Sequence, residues 1–494
     1  MYIINFNTKG FKLFGNFMID RPKTKIVATL GPATLDRSSI SGLIKAGVSI
    51  FRINFSHSTH AQAKELIRNI EASSKETGIP AGIIGDLQGP KIRIGVLSEN
   101  EYAFTINSRV KIIMEKRSEK ADEIPLPEKE VYDSIAPGHR IVLGDGEVEL
   151  LCQEVHDNYI AARVINAGTI KSNKGLHIPG AVMRLTNHLK KDMDDFKFCL
   201  SNNIDYLMLS FVQNKGDIKR FREILDERCP GKLLIGSKIE TRSSIENLDE
   251  IIINSDFVVV ARGDLAIETS CFDIPIHQKS IIEKANKYGI PVIVATQMLE
   301  SMIVNEEPTR AEISDIANAI LDGTDAVMLS GETAVGKHPI KAVQILEKTA
   351  CKIEGWISSS KETYMRQLIS DDRIADAVAK SIMVAGDELM AKCLICTTKT
   401  GKTARLLSRY RPKSPILAFT HTREIIKKLL IHWGVYPYEI DYNENFEKLI
   451  NESVEKAREI YSLEHGDIIL YSAGLSDRKE NAPQTNFLNI RKIK

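Results

Sequence analysis

From Lys25 to about Ala350 the chain repeats one pattern: a short apolar run, a polar exit, then a stretch with helical spacing. The runs are Ile26–Ala28, Ser49–Phe51, Gly82–Ile84, Tyr206–Leu209, Leu234–Gly236, Phe257–Ala261, Val292–Ala295 and Ala326–Leu329, eight in all. Each is too short for a helix and long enough for a buried strand. Apart from one long gap they recur roughly every 25–35 residues, the length of one strand-plus-helix unit. Eight such units predict an α/β fold, a (β/α)8 TIM barrel, with its active site at the C-terminal strand ends.

The exits from these runs carry the chemistry. They are Thr29, Arg52 with Asn54, Asp86, Ser210, Lys238 with Glu240, Arg262 with Asp264, Thr296 with Gln297, and Ser330 with Glu332. Strands commonly end in polar turns, which accounts for any one of them but poorly for so many ionisable and hydroxyl groups at one edge. The stretch from Leu234 to Glu268 is the most pointed. Between its two runs, Ser243 to Ile253 has helical spacing, with Ile245, Leu248, Ile251 and Ile252 on one face and Ser244 as N-cap. A strand–helix–strand unit favours parallel strands. Lys238, Glu240, Arg262 and Asp264 are therefore expected to converge, two carboxylates beside two fixed positive charges. Glu240 and Asp264 suit Mg2+ (or Mn2+), which takes one or two carboxylates and completes its shell with substrate and water. Lys238 suits a developing negative charge, and Arg52 and Arg93 are placed to grip phosphates bidentately. Such an edge supports phosphoryl transfer, or proton or carbon–carbon chemistry through a metal-held enolate.

The long gap, Lys91 to about Arg184, has a different texture: alternating runs at Arg109–Met114, Arg140–Leu143, Val148–Leu151 and Tyr159–Val164, with turns at Pro137-Gly138 and Asp145-Gly146. A structureless loop of that length is uncommon in a compact domain. An inserted all-β domain is expected over residues 91–184, a lid above the catalytic edge. The barrel is then residues 18–90 and 185–355. After a polar connector, strands at Cys393–Cys396, Ile416–Phe419 and Ile468–Tyr471 alternate with helices such as Ile374–Ala385 and Phe446–Tyr461, predicting an open α/β domain over residues 356–494. Its turn Thr397 to Ala404, with Thr398, Lys399, Thr400, Gly401, Lys402 and Thr403, lies between strand and helix and reads as an anion site. It is not a Walker A loop, because Cys396 stands where that loop needs glycine.

A net charge of +1 over 494 residues gives no support to nucleic-acid or membrane-surface binding. No apolar run approaches the 18 or so residues of a membrane span. Seven scattered cysteines, an odd count, suit a reducing cytosol, so a cytoplasmic protein is expected. Cys393 and Cys396 have metal-site spacing but no second ligand pair, and read as structural thiols in a buried strand. Residues 1–17 share nothing with the pattern that follows, and translation is expected to start at Met18, leaving them an extension that is not native.

The stretches KIVATLGPAT, FRINFSHS, GDLQGPKIR, NKGLHIPG, SKIE, VARGDLAIE, ATQMLESM, PTRAE and MLSGETAVG carry a resemblance that covers nearly the whole chain from about Lys23. The chain resembles the pyruvate kinase family, in its bacterial DLQGPKIR-type branch. The resemblance implies phosphoryl transfer from phosphoenolpyruvate to ADP, giving pyruvate and ATP, on a barrel with a β lid and a C-terminal α/β domain. It implies that Lys238 stabilises the transferring phosphoryl and the enolate, and that Glu240 and Asp264 bind Mg2+. The substrate carboxylate would meet the backbone at Arg262 and Gly263, with Thr296, and Arg52 would bridge the phosphates; Ser210 joins this substrate set. Nucleotide contacts would be Asn54, Ser56, His57 and Arg93, with Lys174 reaching from the lid. Thr296 and a water chain near Ser330 and Glu332 are candidates for protonating the enolate. A homotetramer, usual in the family, is the expected assembly.

Two departures from the family pattern matter. Many members hold K+ and carry glutamate in the motif DTKGPEIR, where this chain reads Asp86 to Arg93 as DLQGPKIR. Leu87 removes a hydroxyl ligand, and Lys91 puts a tethered ammonium where the glutamate would sit, so catalysis without K+ is expected. The turn at Thr398–Thr403 matches the family loop that holds one phosphate of a sugar-bisphosphate effector, but the loop Ser472 to Asn481 does not match the usual glycine-rich SGTTN pattern. A sugar monophosphate is the expected effector. The rival readings are a Mg2+-dependent lyase of oxo-acids, which needs neither lid nor nucleotide arginines, and a catalytically dead sensor, which would lack Lys238, Glu240 or Asp264.

Overall fold

The eight apolar runs form eight parallel strands closed into a barrel. They are β1 (Lys25–Thr29), β2 (Ile50–Asn54), β3 (Gly82–Asp86), β4 (Tyr206–Leu209), β5 (Leu234–Ile239), β6 (Phe257–Ala261), β7 (Val292–Ala295) and β8 (Ala326–Leu329). The computed structural model describes residues 21–99, 101–144, 146–180, 186–359, 368–369, 372–475 and 484–494. The supposed start at Met18, the residues before it and most of the loop after Ser472 lie outside these.

Side-chain alternation places the site. Successive strand residues point to opposite faces. Val27, Ile50, Ile84, Tyr206, Met208, Phe257, Val259, Ile293, Ala326 and Met328 fill the barrel interior. The next residue of the same parity on each strand is Thr29, Arg52, Asp86, Ser210, Ala261, Ala295 or Ser330, and on β5 the series Leu234, Gly236 runs on to Lys238 and Glu240. On six strands the polar exits continue the inward face; on β6 and β7 that face ends in Ala261 and Ala295, and Arg262, Asp264 and Thr296 come after the strand at the other parity. Several exits are still strand: Arg52 and Asn54 pair with β1 and β3, and Lys238 pairs with Val259. Hydrogen bonding around a closed barrel carries these strands past the ends of their apolar runs. Gly236 has a packing reason, because a Cβ there would collide with the Phe257 ring. The opposite strand face packs Val258, Val260, Ile83 and Leu207 against the surrounding helices.

The helix expected over Ser243 to Ile253 is two helices, Arg242–Glu246 and Leu248–Asn254. Its N-cap is Thr241 rather than Ser244: Thr241 accepts from the Ser244 N–H, and the Ser244 hydroxyl accepts from the Thr241 N–H. That reciprocal box moves the start three residues back.

Between β3 and β4 lies a mixed seven-stranded β sheet with a two-stranded ribbon. Its strands Arg109–Ile113, Arg140–Leu143, Val148–Val155 and Tyr159–Asn166 are those expected from the runs in the sequence. Ile92–Arg93, Glu101–Phe104, Glu123–Pro125, Gly168–Lys171 and Gly175–His177 complete the sheet and ribbon. The sheet encloses its own core around Ile112, Ile141, Leu150 and Ile160.

The C-terminal sheet has β9 (Cys393–Thr397) at its centre, flanked by β10 (Ile416–Thr420) with β11 (Val435–Glu439), and by β12 (Ile468–Leu475) with β13 (Gln484–Lys492). All pairs are parallel except β12 with β13. Cys393 and Cys396 are free thiols in different cores, on opposite faces of β9. Burial pushes the Cys393 thiol up to about 12, which leaves it inert.

Candidate active site

The cleft at the C-terminal end of the barrel is lined by Arg52, Asn54, Ser56, His57, Asp86, Gln88, Lys91, Arg93, Ser210, Lys238, Glu240, Asp264, Thr296 and Ser330, with Phe211 and three apolar residues. Thirteen of the residues named from sequence meet there: Arg52, Asn54, Ser56, His57, Asp86, Lys91, Arg93, Ser210, Lys238, Glu240, Asp264, Thr296 and Ser330.

At its centre Lys238 is almost wholly enclosed. Its ammonium lies 2.8 Å from Glu240 Oε1 and 3.7 Å from Asp86 Oδ1, and donates to Ser210 Oγ at 2.9 Å. Burial alone would depress its pKa, but Asp86 and Glu240 outweigh it and hold the value above the ordinary one, so the amine stays charged. Arg52 donates from Nε and Nη2 to Asp86 Oδ2 and from Nη1 to Thr29 Oγ1. Asp86 therefore orients both Arg52 and Lys238. Sequence reading saw it as a strand exit and gave it no role; its inward parity on β3, after Ile84, was the available signal.

The carboxylates fit a hard cation. Burial, helped by Asp264, raises the Glu240 pKa against the pull of Lys238, which marks a carboxylate set where a positive charge is wanted. Glu240 Oε2 accepts from the Phe211 N–H at 2.7 Å. Its Oε1 faces the Lys238 ammonium at an angle that leaves the oxygen without a hydrogen bond. Among the described residues no group of three or more His, Cys, Asp or Glu side chains could hold a metal. Two carboxylates with an open side match a cation that draws its other ligands from substrate and water.

Lys91 Nζ stands 4.0 Å from Asp264 Oδ1. His57 is held below the ordinary imidazole pKa by burial and then by Arg93, Lys91 and Arg52, so it is neutral in a cationic surround. Arg52, Lys91, Arg93 and Lys238 set four positive charges against Asp86, Glu240 and Asp264. That balance favours polyanionic ligands.

Two expected contributors lie elsewhere. The Arg262 side chain does not join the carboxylates but turns under the β7 exit. It donates to both oxygens of Asp315 at 2.8 and 2.7 Å, to Thr296 O at 2.5 Å and to Gln297 O at 3.2 Å. Thr296 and Gln297 have φ of +69° and +55°, a left-handed pair that L side chains disfavour, and Arg262 holds it in place. Thr296 Oγ1 then accepts from the Gly263 N–H at 3.0 Å. Lys174 pairs with Glu147 at 3.0 Å within the inserted sheet and does not line the cleft. Glu332 is buried, and accepts from the N–H groups of Leu299 and Ser330, so it ties the β7 and β8 exits together.

Residues 21–343 match the family model "Pyruvate kinase, barrel domain" and residues 376–491 match "Pyruvate kinase, alpha/beta domain". The chain belongs to the pyruvate kinase family. A pyruvate kinase of Clostridium acetobutylicum is 36% identical over 472 residues, covering 95% of this chain and 99% of the relative. Pyruvate kinase 2 of Synechocystis sp. is 40% identical over 464 residues, covering 92% and 76%. A crystal structure of a pyruvate kinase from Cryptosporidium parvum superposes with TM-score 0.86 at 33% identity, covering 96% of this chain and 97% of that one. The chain is thus a phosphotransferase of glycolysis with pyruvate kinase activity, acting on phosphoenolpyruvate and ADP, and its family uses a divalent metal. Among the described residues no helix is long and apolar enough to cross a membrane.

Pyruvate kinase chemistry asks this cleft to bind two polyanions, pass a phosphoryl group between them and leave an enolate that takes a proton. A divalent cation, when bound, neutralises phosphoryl charge and draws the two substrates together. The cleft's own charges, Lys238 and Arg52, are fixed before substrate arrives by Asp86, so they need no reorganisation during transfer.

Proposed function

We propose that this pyruvate kinase works with Mg2+ (or Mn2+) held by Glu240 and Asp264, without K+, and under activation by a sugar phosphate bound in the C-terminal domain. Lys238 and Arg52 carry the phosphoryl and enolate charge, with Ser210 holding the Lys238 ammonium. The N–H of Gly263, at the start of the helix Arg262–Glu268, exchanges its Thr296 Oγ1 acceptor for the substrate carboxylate, and Thr296 joins it there as a candidate for passing on the proton. Asn54, Ser56, His57 and Arg93 face ADP, and Lys174 joins them when the inserted domain, residues 91–184, closes as a lid on the barrel of residues 18–90 and 185–355. The assembly is a cytoplasmic homotetramer.

The observation that carries K+ independence is the ammonium of Lys91 beside Asp264 at 4.0 Å. A tethered charge there does the work of a bound monovalent cation and needs no ion from solution. Support for the effector site comes from the turn before the helix Lys402–Arg409, part of residues 356–494. Thr398 Oγ1 accepts from the Gly401 N–H at 2.9 Å, Thr400 is exposed, and the exposed Lys399 lies over the Tyr442 ring. Lys402 pairs with Asp372 at 2.7 Å and Thr403 meets Thr485, so part of the loop's donor set is already engaged. Residues 476–483, where a second phosphate would bind in a bisphosphate site, lie outside the described residues.

The test is pyruvate formation from phosphoenolpyruvate, ADP and Mg2+ in K+-free buffer, then with K+ and with sugar phosphates added. Full turnover without K+, raised by a sugar monophosphate, is the expected result. Turnover that appears only with K+, or tight binding of fructose 1,6-bisphosphate, overturns the corresponding part.

A further inference from the structure

The helix Thr186–Ser201, the first element after the inserted β domain, has no residue in the cleft. Three side chains on one face of it, Lys191, Asp192 and Asp195, at helical spacings of three and four, reach the two loops that bring Asn54, Ser56, His57, Lys91 and Arg93 to the cleft. Toward the β2 exit, the Lys191 ammonium donates to Phe55 O at 2.8 Å and to Asp195 Oδ2 at 2.6 Å. Asp195 Oδ1 is 2.7 Å from His60 Nε2, and the His60 ring stacks on Phe198 of the same helix at 4.5 Å between centroids. Phe55 and His60 bracket Ser56 and His57. Toward the β3 exit, Asp192 accepts the Gly89 N–H on both oxygens, at 3.2 and 3.1 Å. Asp192 and Asp195 are buried, at 8% and 4% exposure, a placement carboxylates take only when partnered.

The β3 exit has little room. Gly89 has φ +67°, and a Cβ there would lie 2.8 Å from Ser210 Cβ and 2.9 Å from Ser210 O. Leu87 donates to Met208 O, and Ser210 Oγ donates to Leu87 O at 2.7 Å. The segment Leu87–Gly89 is thus pressed onto the β4 exit on one side and gripped by Asp192 on the other. Two residues on stands Lys91, and four on stands Arg93.

We infer that Lys191, Asp192 and Asp195 form a positioning clamp for the nucleotide half of the cleft. They hold the β2 and β3 exit loops in register with each other from a helix that never touches substrate. The clamp reaches the phosphoenolpyruvate half only through the contact of Leu87–Gly89 with Ser210, while Lys238, Asp86 and Thr296 are held by the barrel strands and by Arg262. The inference rests on the reading of Asn54, Ser56, His57 and Arg93 as nucleotide contacts.

Steady-state kinetics of Asp192→Ala, Asp192→Asn, Lys191→Met and Asn54→Ala, each with a thermal unfolding curve, test it. Asp192→Ala is expected to raise KM for ADP about ten-fold while KM for phosphoenolpyruvate stays within about two-fold, since small displacements of a binding loop suffice for such a loss. Asp192→Asn keeps a carbonyl acceptor for the Gly89 N–H and is expected to return KM for ADP to within about three-fold of the parent. Lys191→Met, at a half-exposed position, is expected to raise KM for ADP about three-fold with its folding intact. Equal rises in both KM values, or an Asp192→Asn variant as impaired as Asp192→Ala, overturn the clamp. If Asp192→Ala does not fold, Lys191→Met decides alone: a rise in KM for ADP only supports the clamp, and no rise or a shared one overturns it. An Asn54→Ala variant with unchanged KM for ADP overturns the nucleotide reading itself, which separates the two failures.

Discussion

Lys238 is an almost wholly enclosed amine that keeps its proton, and the reason lies in two carboxylates. Removing an ammonium from water is costly, so burial alone would depress its pKa. Asp86 and Glu240 reverse that outcome and leave a fixed positive charge aimed into the cleft. Lys238→Met removes that charge and leaves buried carboxylates without their partner. Turnover should fall by about 10³-fold, the scale of losing a preorganised electrostatic donor, with a smaller change in KM for phosphoenolpyruvate. A loss below about ten-fold in stopped assays would mean that Arg52 supplies most of the charge. Lys91 makes a second residue-scale prediction. Lys91→Glu is expected to lower turnover in K+-free buffer by about ten-fold or more, through a new carboxylate beside Asp264. Added K+ should restore part of it, and a Leu87→Thr, Lys91→Glu double variant more. No response to K+ in either variant would remove the case for Lys91 as a tethered cation.

At the scale of elements, each strand end offers the cleft one or two side chains, and the loops decide where they sit. The β7 exit bends through a left-handed pair, Thr296 and Gln297, that costs about 1–3 kcal/mol per residue in this region of conformational space. Arg262 offsets that strain with hydrogen bonds to both carbonyls while it is paired with Asp315. Arg262→Met deletes the clamp and leaves Asp315 without its cation. Stability should drop by about 2–4 kcal/mol, read by denaturant unfolding, and kcat/KM for phosphoenolpyruvate should fall further than kcat/KM for ADP. Equal losses for the two substrates would show that the turn serves folding alone. The arginine was legible in the sequence as a strand exit beside Asp264. Its direction was not, because nothing in the run of residues tells that Asp315, 53 positions away, would be its partner. Asp86 was read only as a strand exit, and Asp192 not at all, for a related reason: each works by holding another residue.

At the scale of the molecule, the C-terminal domain closes the barrel from below. Leu430 and Ile431 belong to the same interior cluster as Tyr206 and Phe257 of the barrel. Arg411 reaches Asp325 at 2.8 Å and the carbonyls of Gly323 and Thr324 at the end of a barrel helix. Lys25 at the start of β1 donates to Val435 O at 2.7 Å and lies 4.3 Å from the Tyr436 ring centre. Burial lowers its pKa to about 7 from 10.5, with Glu354 opposing. Between those two values the unfolded chain binds a proton that the folded chain lacks, so this group makes stability rise with pH across that window. Lys25→Met removes the titration. The stability of the variant relative to the parent should therefore be greatest near pH 7 and shrink toward pH 10 by up to about 4 kcal/mol, measured as the gap between unfolding curves. A gap that is constant with pH would place the Lys25 proton elsewhere.

What the sequence determined by itself was the fold class and the chemistry of the cleft. Strand alternation is a local property, and eight apolar runs, six of them with polar residues continuing their inward parity, place those residues at one end of a closed barrel. The paired carboxylates Glu240 and Asp264, Lys238 just before them and the substitution at Lys91 could all be read in chain order. Tertiary structure alone decided the orientation and partnership of the side chains: Arg262 under a strained turn, Lys174 on the inserted sheet with Glu147, Asp192 on Gly89 and Leu430 inside the barrel base. Those depend on which distant groups the closed barrel and its neighbours bring within hydrogen-bonding or packing distance, and no local period along the chain encodes that.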